Sequence, residues 1–398
     1  MKKKYINPIF LIVLSLLSTA CAKGSDEIQK TGIIVNRDKM PVDKTTQFSV
    51  DFTQIRSTEI DTSLKFNNHV CDSLEKHLNY VKKKGNYKGL SLAVAVPGKG
   101  FWKSTTGESG TSMPLTTNTK FHALSMSKIF TSAIILKLAE NDFLKLDDTI
   151  EKWFPQCQKS NEITINHLLN HTSGIQTYEV LYEYKLHDNS RFTEQNLVDM
   201  ALHYGVSDTP GSFFSYSNSG YIMLGIIINK VSGKSLEQVF YDCFINPLNL
   251  QNTLYCNAKN LDMENIRGYS NGEISENAQW PLTYAAGPLI STPAEILLLY
   301  NYLLSGNFLN TESMNRMLSH MNLWLKNPNI HYGKGIYSIN DLPSGNYLGH
   351  AGGDDCFRTC VFYNTKHNVF ISIFSNTDTT GIEPAMFSVS EKLIDLLK

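Results

Sequence analysis

The chain has 398 residues, 42% of them hydrophobic and 18% charged, with a formal net charge of -1. At roughly 150 residues per domain this suggests two or three folding units, and the composition is that of a globular protein, not a disordered or fibrous one. With 36 Lys and Arg against 37 Asp and Glu, no basic excess exists to neutralise a phosphate backbone, so nucleic acid is not an expected partner.

The chain begins with the pattern of a secretory signal, assigned to residues 1–22. Lys2, Lys3 and Lys4 precede the apolar stretch Ile9 to Leu17, and Ser18-Thr19-Ala20-Cys21 ends it with small residues. Cleavage before Cys21 would make its thiol a lipid attachment point and the membrane a partner. Ser18 stands where a lipobox has Leu, and ordinary cleavage after Ala22 is the alternative. Either route predicts an exported protein, periplasmic or at the cell surface. Elsewhere no apolar run approaches the ~18 residues of a membrane span, the best being Tyr221 to Ile228. Export permits disulfides among Cys71, Cys157, Cys243, Cys256, Cys356 and Cys360. A chain this long buries its own core, however, and no Cys-x-x-Cys occurs, so scattered buried thiols are expected.

Residues 23–65 are polar and without sustained periodicity, and read as a tether. Order is expected from Phe66: Val70, Leu74, Leu78 and Val81 recur at helical spacing until Gly85. Leu90 to Val96 reads as a strand, Pro97 to Gly100 as a turn, and Phe101 to Lys103 as the returning strand. Leu124 through Ala139 is a helix apolar nearly all round, hence a buried one. A second such helix, Tyr221 to Val231, is closed by Ser232-Gly233. Further strands are expected at Tyr332 to Ser338, Cys360 to Tyr363 and Val369 to Ser375, with a final helix from Pro384 to Leu397.

Three places carry chemistry. Ser125 and Lys128 lie three apart on one face at the start of the buried helix. A lysine buried there without a counter-charge is held toward its neutral amine and can accept the serine proton. The alternative is that Ser125 caps the helix and Lys128 snorkels. Tyr216 and Asn218 precede the second apolar helix, where a phenol can relay protons and an amide can hold substrate; a polar turn is the alternative. Gly349-His350-Ala351-Gly352-Gly353 follows a strand-like pair, and its glycines leave room for a ligand to pair with the backbone. Two other patterns are set aside. Ser270 sits in Gly-x-Ser-x-Gly but lacks the apolar strand a nucleophile elbow requires. His167 and His171 have metal-like spacing but no Glu after the first and no third ligand.

Ser125-x-x-Lys128, Tyr216-x-Asn218 and His350-x-Gly352, in that order, resemble the three motifs of the serine β-lactamase and penicillin-binding protein family, in its class C-like branch. The likeness extends over Phe121 to Lys128, Ile163 to Gly174, Pro210 to Leu250, Ala286 to Thr292 and Gly349 to Asn376. It implies a catalytic domain at 66–398 with the β-lactamase/transpeptidase-like fold: an α/β (α+β) arrangement of an antiparallel sheet flanked by helices. The sheet part would be 66–145 and 289–398, with a mostly helical insertion at 146–288. It also implies Ser125 as acylated nucleophile, Lys128 and Tyr216 as proton carriers, and Asn218, His350 and Gly352 as substrate-binding residues. The backbone N–H groups of Ser125 and Gly353 would form the oxyanion hole, with no metal or cofactor. Pocket walls in this family come from loops such as Tyr178 to Arg191 and Leu323 to Ile330. Where β-lactamases usually carry Lys, this chain has His350, which is mostly neutral at pH 7. That departure is similar to D-Ala-D-Ala carboxypeptidases, D-amino-acid peptidases and esterases, and D-amino-acid-containing cell-wall peptides are the expected substrates. A β-lactamase or promiscuous esterase, and a non-catalytic penicillin-binding sensor, are the alternatives.

Overall fold

The computed structural model describes residues 40–49, 52, 59–180, 192–256, 266–275, 283–323, 329–378 and 381–398. The expected signal at 1–22 with Cys21, and residues 181–191 and 324–328 of the two expected pocket-wall loops, lie outside the described residues.

A ten-stranded sheet organises the chain. Its strands are β1 (Met40–Ser49), β2 (Gly89–Val96), β3 (Gly100–Gly107), β4 (Phe213–Phe214), β5 (Ser319–Leu323), β6 (Ile330–Tyr332), β7 (Tyr337–Ile339), β8 (Tyr347–Gly353), β9 (Arg358–Asn364) and β10 (Val369–Ser375). They lie in the order β3-β2-β10-β9-β8-β7-β6-β5-β1-β4, and every neighbouring pair is antiparallel.

Both faces of the sheet are covered, and side chains alternate between them with the two-residue period of a pleated strand. In β2, Leu90, Leu92, Val94 and Val96 enter one core while Ala93 and Ala95 enter the other. Helix α1 (Asn68–Lys84) and the C-terminal helix Glu383–Leu396 close the first face, packing on each other. α1 presents Val70, Leu74, Leu78 and Val81, the expected stripe, and ends at Gly85. The second face carries α2 (Lys128–Glu140), whose residues from Lys128 to Leu136 are all buried. Behind it lie α3 (Ile165–Leu169), α4 (Glu194–His203), α5 (Asn218–Ser232) and α6 (Leu236–Phe240). α7 (Pro293–Leu304) packs on β10 and β2, and α8 (Thr311–Leu318) leads into β5. The C-terminal helix is α9. Each buried aliphatic side chain on α2 or α5 is worth about 1.5–3 kcal/mol over exposure, so these helices form a fixed floor on which side chains can be aimed. Among the described residues, no helix is long and apolar enough to cross a membrane, and all six described cysteines are free thiols.

Three expectations need correction. Residues 40–49, assigned to a tether, form strand β1, paired with β5 on one side and β4 on the other, and Phe52 just beyond is fully buried. Val42, Thr45, Thr46 and Phe48 are residue types that favour strands. The pairing depends on an open edge formed by β5, some 270 residues away, which local periodicity does not register. Tyr332 to Ser338, expected as one strand, is a tight hairpin of β6 and β7, with Tyr332 opposite Tyr337. Gly335 adopts φ +75° at the turn, a left-handed conformation that glycine reaches without strain. A Cβ there would stand 2.6 Å from Lys128 O, so the turn lies directly on the start of α2. The buried helix expected from Leu124 begins as a 3-10 turn, Leu124–Ser127, and becomes α2 only at Lys128.

Candidate active site

Ser125 occupies that 3-10 turn, half-buried, and the turn is held from every side. Leu124 before it has φ +54°, a left-handed conformation that costs a non-glycine residue about 1–3 kcal/mol and persists only when its surroundings enforce it. The enforcement is visible. Phe121–His122 pairs with Leu289–Ser291, Ala123 N donates to Leu289 O at 2.8 Å, and Leu289 N donates to Ser127 Oγ at 3.2 Å. Thr359 Oγ1, from β9, donates to Ala123 O at 3.0 Å.

Lys128 is fully buried. Its Nζ lies 3.0 Å from Ser125 Oγ and donates to Ala286 O at 2.8 Å. The segment carrying Ala286 is fixed to the same helix by Thr131 Oγ1, which donates to Ala285 O at 2.7 Å. Two aromatic rings border the amine, Tyr216 at 5.0 Å and Tyr221 at 5.4 Å from Nζ to the ring centroids. A side chain that would otherwise sample many rotamers is thereby confined beside one hydroxyl.

Tyr216 and Asn218 straddle the start of α5. Ser217 caps this helix, its Oγ accepting from Gly220 N at 3.3 Å, so Tyr216 stands just outside and Asn218 just inside. Asn218 Nδ2 donates to the Glu179 carboxylate, which also accepts from Thr177 Oγ1, and Thr177 Oγ1 accepts from Asn218 N at 3.2 Å. The Tyr216 ring lies on His171, with centroids 4.2 Å apart.

Strand β8 brings the third motif to the opposite side. β7 pairs with Tyr347, Leu348 and Gly349 of β8, whereas β9 pairs along its whole length to Gly353. From His350 onward the other edge of β8 runs beside the serine turn. A Cβ on Gly352 would stand 2.9 Å from Ser125 N and 2.8 Å from Leu124 Cβ, so only glycine allows this approach. Gly353 is the next residue on the same edge, opposite Arg358. His350 is fully buried, its ring 6.4 Å from that of Tyr216. Burial, and then Lys128 whenever its amine is protonated, push the His350 imidazole down to about 3, because neither the interior nor a charged neighbour favours a further positive charge.

The structure therefore places Ser125, Lys128, Tyr216, Asn218, His350 and Gly352 around one seam between the sheet and the helices. It also adds residues that the sequence left unassigned: Ala286 as acceptor for Lys128, Glu179 and Thr177 on Asn218, and His171 and Tyr332 behind Tyr216. Of these, the segment containing Ala286, the pair His167/His171 and, as part of an expected pocket-wall loop, Glu179 carried a sequence signal, whereas Tyr332 was read only as a strand residue. Ser270 lies in a small hairpin, Tyr269–Ser270 against Glu273–Ile274, turned by Asn271 and Gly272, both at positive φ, and not on a strand-to-helix elbow. His167 closes a capping box at α3 with Thr164. Among the described residues no cluster of three metal-ligating side chains occurs.

A family model described as Beta-lactamase matches residues 71–387. Penicillin-binding protein 4* of Bacillus subtilis is 28% identical over 301 residues, which cover 71% of this chain and 66% of that protein. D-amino acid amidase from Ochrobactrum anthropi SV3, solved with L-phenylalanine amide, superposes with a TM-score of 0.76 at 23% identity, covering 83% of this chain and 100% of the other. A penicillin binding protein from Bacillus halodurans gives a TM-score of 0.67 at 19% identity, covering 81% and 98%. At these identities the structural likenesses establish the fold alone.

Proposed function

The chain belongs to the beta-lactamase family, whose fold it shares, and from that premise we propose that it is a serine hydrolase cleaving amide or peptide bonds through an acyl-enzyme on Ser125. The observation that carries the reading is the 3.0 Å approach of the fully buried Lys128 Nζ to the half-buried Ser125 Oγ. A salt-bridging or solubilising lysine has no reason to be placed there.

In this reading Ser125 Oγ attacks the substrate carbonyl, forming the C–O bond as its proton passes to Lys128 or Tyr216. The N–H groups of Ser125 and Gly353 receive the negative charge that develops on the carbonyl oxygen, a contribution of about 10²–10³ in rate per donor. The C–N bond then breaks, and the proton held by Lys128 or Tyr216 passes to the departing amine. Water repeats the sequence on the ester, releasing the acid and restoring Ser125.

Two features bear on the substrate. His350, neutral where β-lactamases usually carry lysine, offers no permanent charge for a substrate carboxylate. The Glu179 carboxylate on Asn218 offers an anion for a substrate ammonium. Together they favour substrates recognised at a free amino end, such as D-amino acid amides and short D-amino-acid-containing peptides. The pattern of Lys2 to Lys4, the apolar stretch and Cys21 supports export and lipid anchoring, which would put the enzyme beside cell-wall peptides. A mass increase of one diacylglycerol plus one acyl chain, lost in Cys21→Ser, would test the anchor.

The reading is tested by intact mass after exposure to a fluorophosphonate and, separately, to benzylpenicillin. An adduct from the fluorophosphonate that vanishes in Ser125→Ala is expected. Folded protein that takes up neither reagent would overturn the hydrolase reading and favour a binding protein.

A further inference from the structure

Behind Tyr216 lies a line of hydrogen bonds that joins two of the three motifs. Ser217 N donates to His171 Nδ1 at 3.1 Å. His171 Nε2 lies 3.1 Å from Tyr332 Oη, Tyr332 Oη lies 3.2 Å from His350 Nε2, and His350 Nδ1 faces Ala351 O. All three side chains are buried, so their polar atoms depend on protein partners and not on water; the Tyr332 hydroxyl also meets that of Tyr221, whose proton goes to Leu169 O.

The two ends of the line determine every proton between them. A backbone N–H can only donate and a backbone carbonyl can only accept. At the first end His171 Nδ1 must accept, which leaves the ring proton on Nε2, pointing at Tyr332 Oη. At the other end His350 Nδ1 must donate, which leaves Nε2 bare. The Tyr332 hydroxyl accepts from His171 and donates to His350. With both rings neutral, no other arrangement satisfies all four contacts.

We propose that His171 and Tyr332 are positioning residues. The one-way chain from Ser217 N–H through His171, Tyr332 and His350 to Ala351 O fixes the loop bearing Tyr216 against the strand bearing Gly352, each imidazole locked in a single tautomer. His350 then offers neither ring nitrogen to a ligand; it acts by holding β8 in place, and the strand's backbone does the binding. His171 acts on Tyr216 twice, through the stacked ring and through the amide of the following residue. The positioning role rests on the hydrolase reading above, whereas the tautomers rest on geometry alone.

The full chain, labelled with 15N-histidine, gives the direct test, since long-range proton–nitrogen spectra separate the two neutral tautomers. His171 and His350 are assigned by the signals lost in His171→Gln and His350→Gln. His171 should carry its proton on Nε2 and His350 on Nδ1 at pH 7. Tyr332→Phe keeps the ring and removes the link. It should broaden or switch the His350 signals and slow phosphonylation of Ser125 by a fluorophosphonate about tenfold, in line with the loss of one buried hydrogen bond. Its concentration dependence should stay within about twofold, which general loosening of the fold would not preserve. An Nε2–H tautomer or an imidazolium at His350 in the unsubstituted chain would overturn the proposal, as would Tyr332→Phe leaving tautomers and rate unchanged. If Tyr332→Phe fails to fold, the unsubstituted spectrum still decides the proton order. No phosphonylation of the unsubstituted chain would overturn the positioning role together with the hydrolase reading, with the tautomers still read from the spectrum.

Discussion

Two regions of this molecule bury ionisable side chains almost completely, and their partners set them apart. At the seam, Lys128 is 0% exposed and has among its partners a half-buried hydroxyl, Ser125 Oγ. Around the turn that joins β8 to β9, just beyond Gly353, Arg358 and Glu383 are each 1% exposed. Arg358 donates to Asp354 O and Phe357 O and pairs with Asp378 at 2.7 Å, closing the turn between the two strands. Asp354 in the same turn accepts from Cys356 N and Phe357 N at 2.8 and 2.7 Å. Burial of charge is therefore not in itself a mark of function. It becomes one where a partner remains within reach of a ligand, and it is structural where backbone groups occupy the head group.

Substitutions should separate the two regions. The largest effect is expected at Lys128→Met, which keeps the volume and removes the proton carrier. Phosphonylation of Ser125 should fall by at least ~10³-fold, as for removal of the activating base from a serine nucleophile, with little change in thermal stability. Retention of the rate within tenfold would place Lys128 with Arg358 as a structural residue. Gly352→Ala comes next. Its methyl would stand 2.7 Å from Thr359 Oγ1, 2.8 Å from Leu124 Cβ and 2.9 Å from Ser125 N, forcing the strand away from the serine turn. The same assay should lose about 10²-fold, the scale of one misplaced oxyanion donor.

Legibility in the sequence divides along the same line. Ser125 and Lys128 are one helical turn apart, so spacing alone puts them together. Tyr216 and Asn218 flank a helix start, and His350 and Gly352 share a strand edge, so each pair is local too. α1, β2 and β10 were readable because their apolar periods match their structures. What the sequence could not disclose is assembled from distant segments. Glu179 meets Asn218 across 39 positions, and His171 meets Tyr332 across 161. β1 has no local pattern beyond a few β-branched residues and depends on the edge of β5. The 332–338 error has a different origin. Gly333-Lys334-Gly335 interrupts the run between Tyr332 and Ile336-Tyr337, and the hairpin it forms bends because it must lie on α2.

Glu179→Gln probes one of those distant contacts. The amide still accepts from Asn218 Nδ2, so the loop should hold, but the negative charge is gone. KM for an amino acid amide with a free ammonium should rise about tenfold, the worth of one charged hydrogen bond, while hydrolysis of p-nitrophenyl acetate stays within twofold. An equal loss on both substrates would show that Glu179 supports Asn218 and does not read the ammonium.

The smallest effect on activity, and the clearest on stability, is expected at Glu383→Gln. Burial pushes the Glu383 carboxyl up to about 7, opposed by its own helix-end amides and by Arg358, and its Oε2 has no partner among the described residues. A carboxyl whose folded value exceeds its unfolded value of about 4.5 is stabilising when protonated. Stability is therefore highest below pH 4.5, falls as pH rises to about 7, and is constant above. Glutamine imitates the protonated acid at every pH. The variant should thus gain up to about 3 kcal/mol at pH 8 and nothing near pH 4.5, as read by denaturant unfolding at the two values, with the rate of Ser125 phosphonylation within twofold of the unsubstituted chain. A gain independent of pH would mean that the carboxyl titrates alike in the folded and unfolded chain, and a gain still growing above pH 7 would mean that it does not ionise in the fold. A loss of activity would mean that the two buried regions are coupled through β8 and β9, and the contrast between them would then no longer hold.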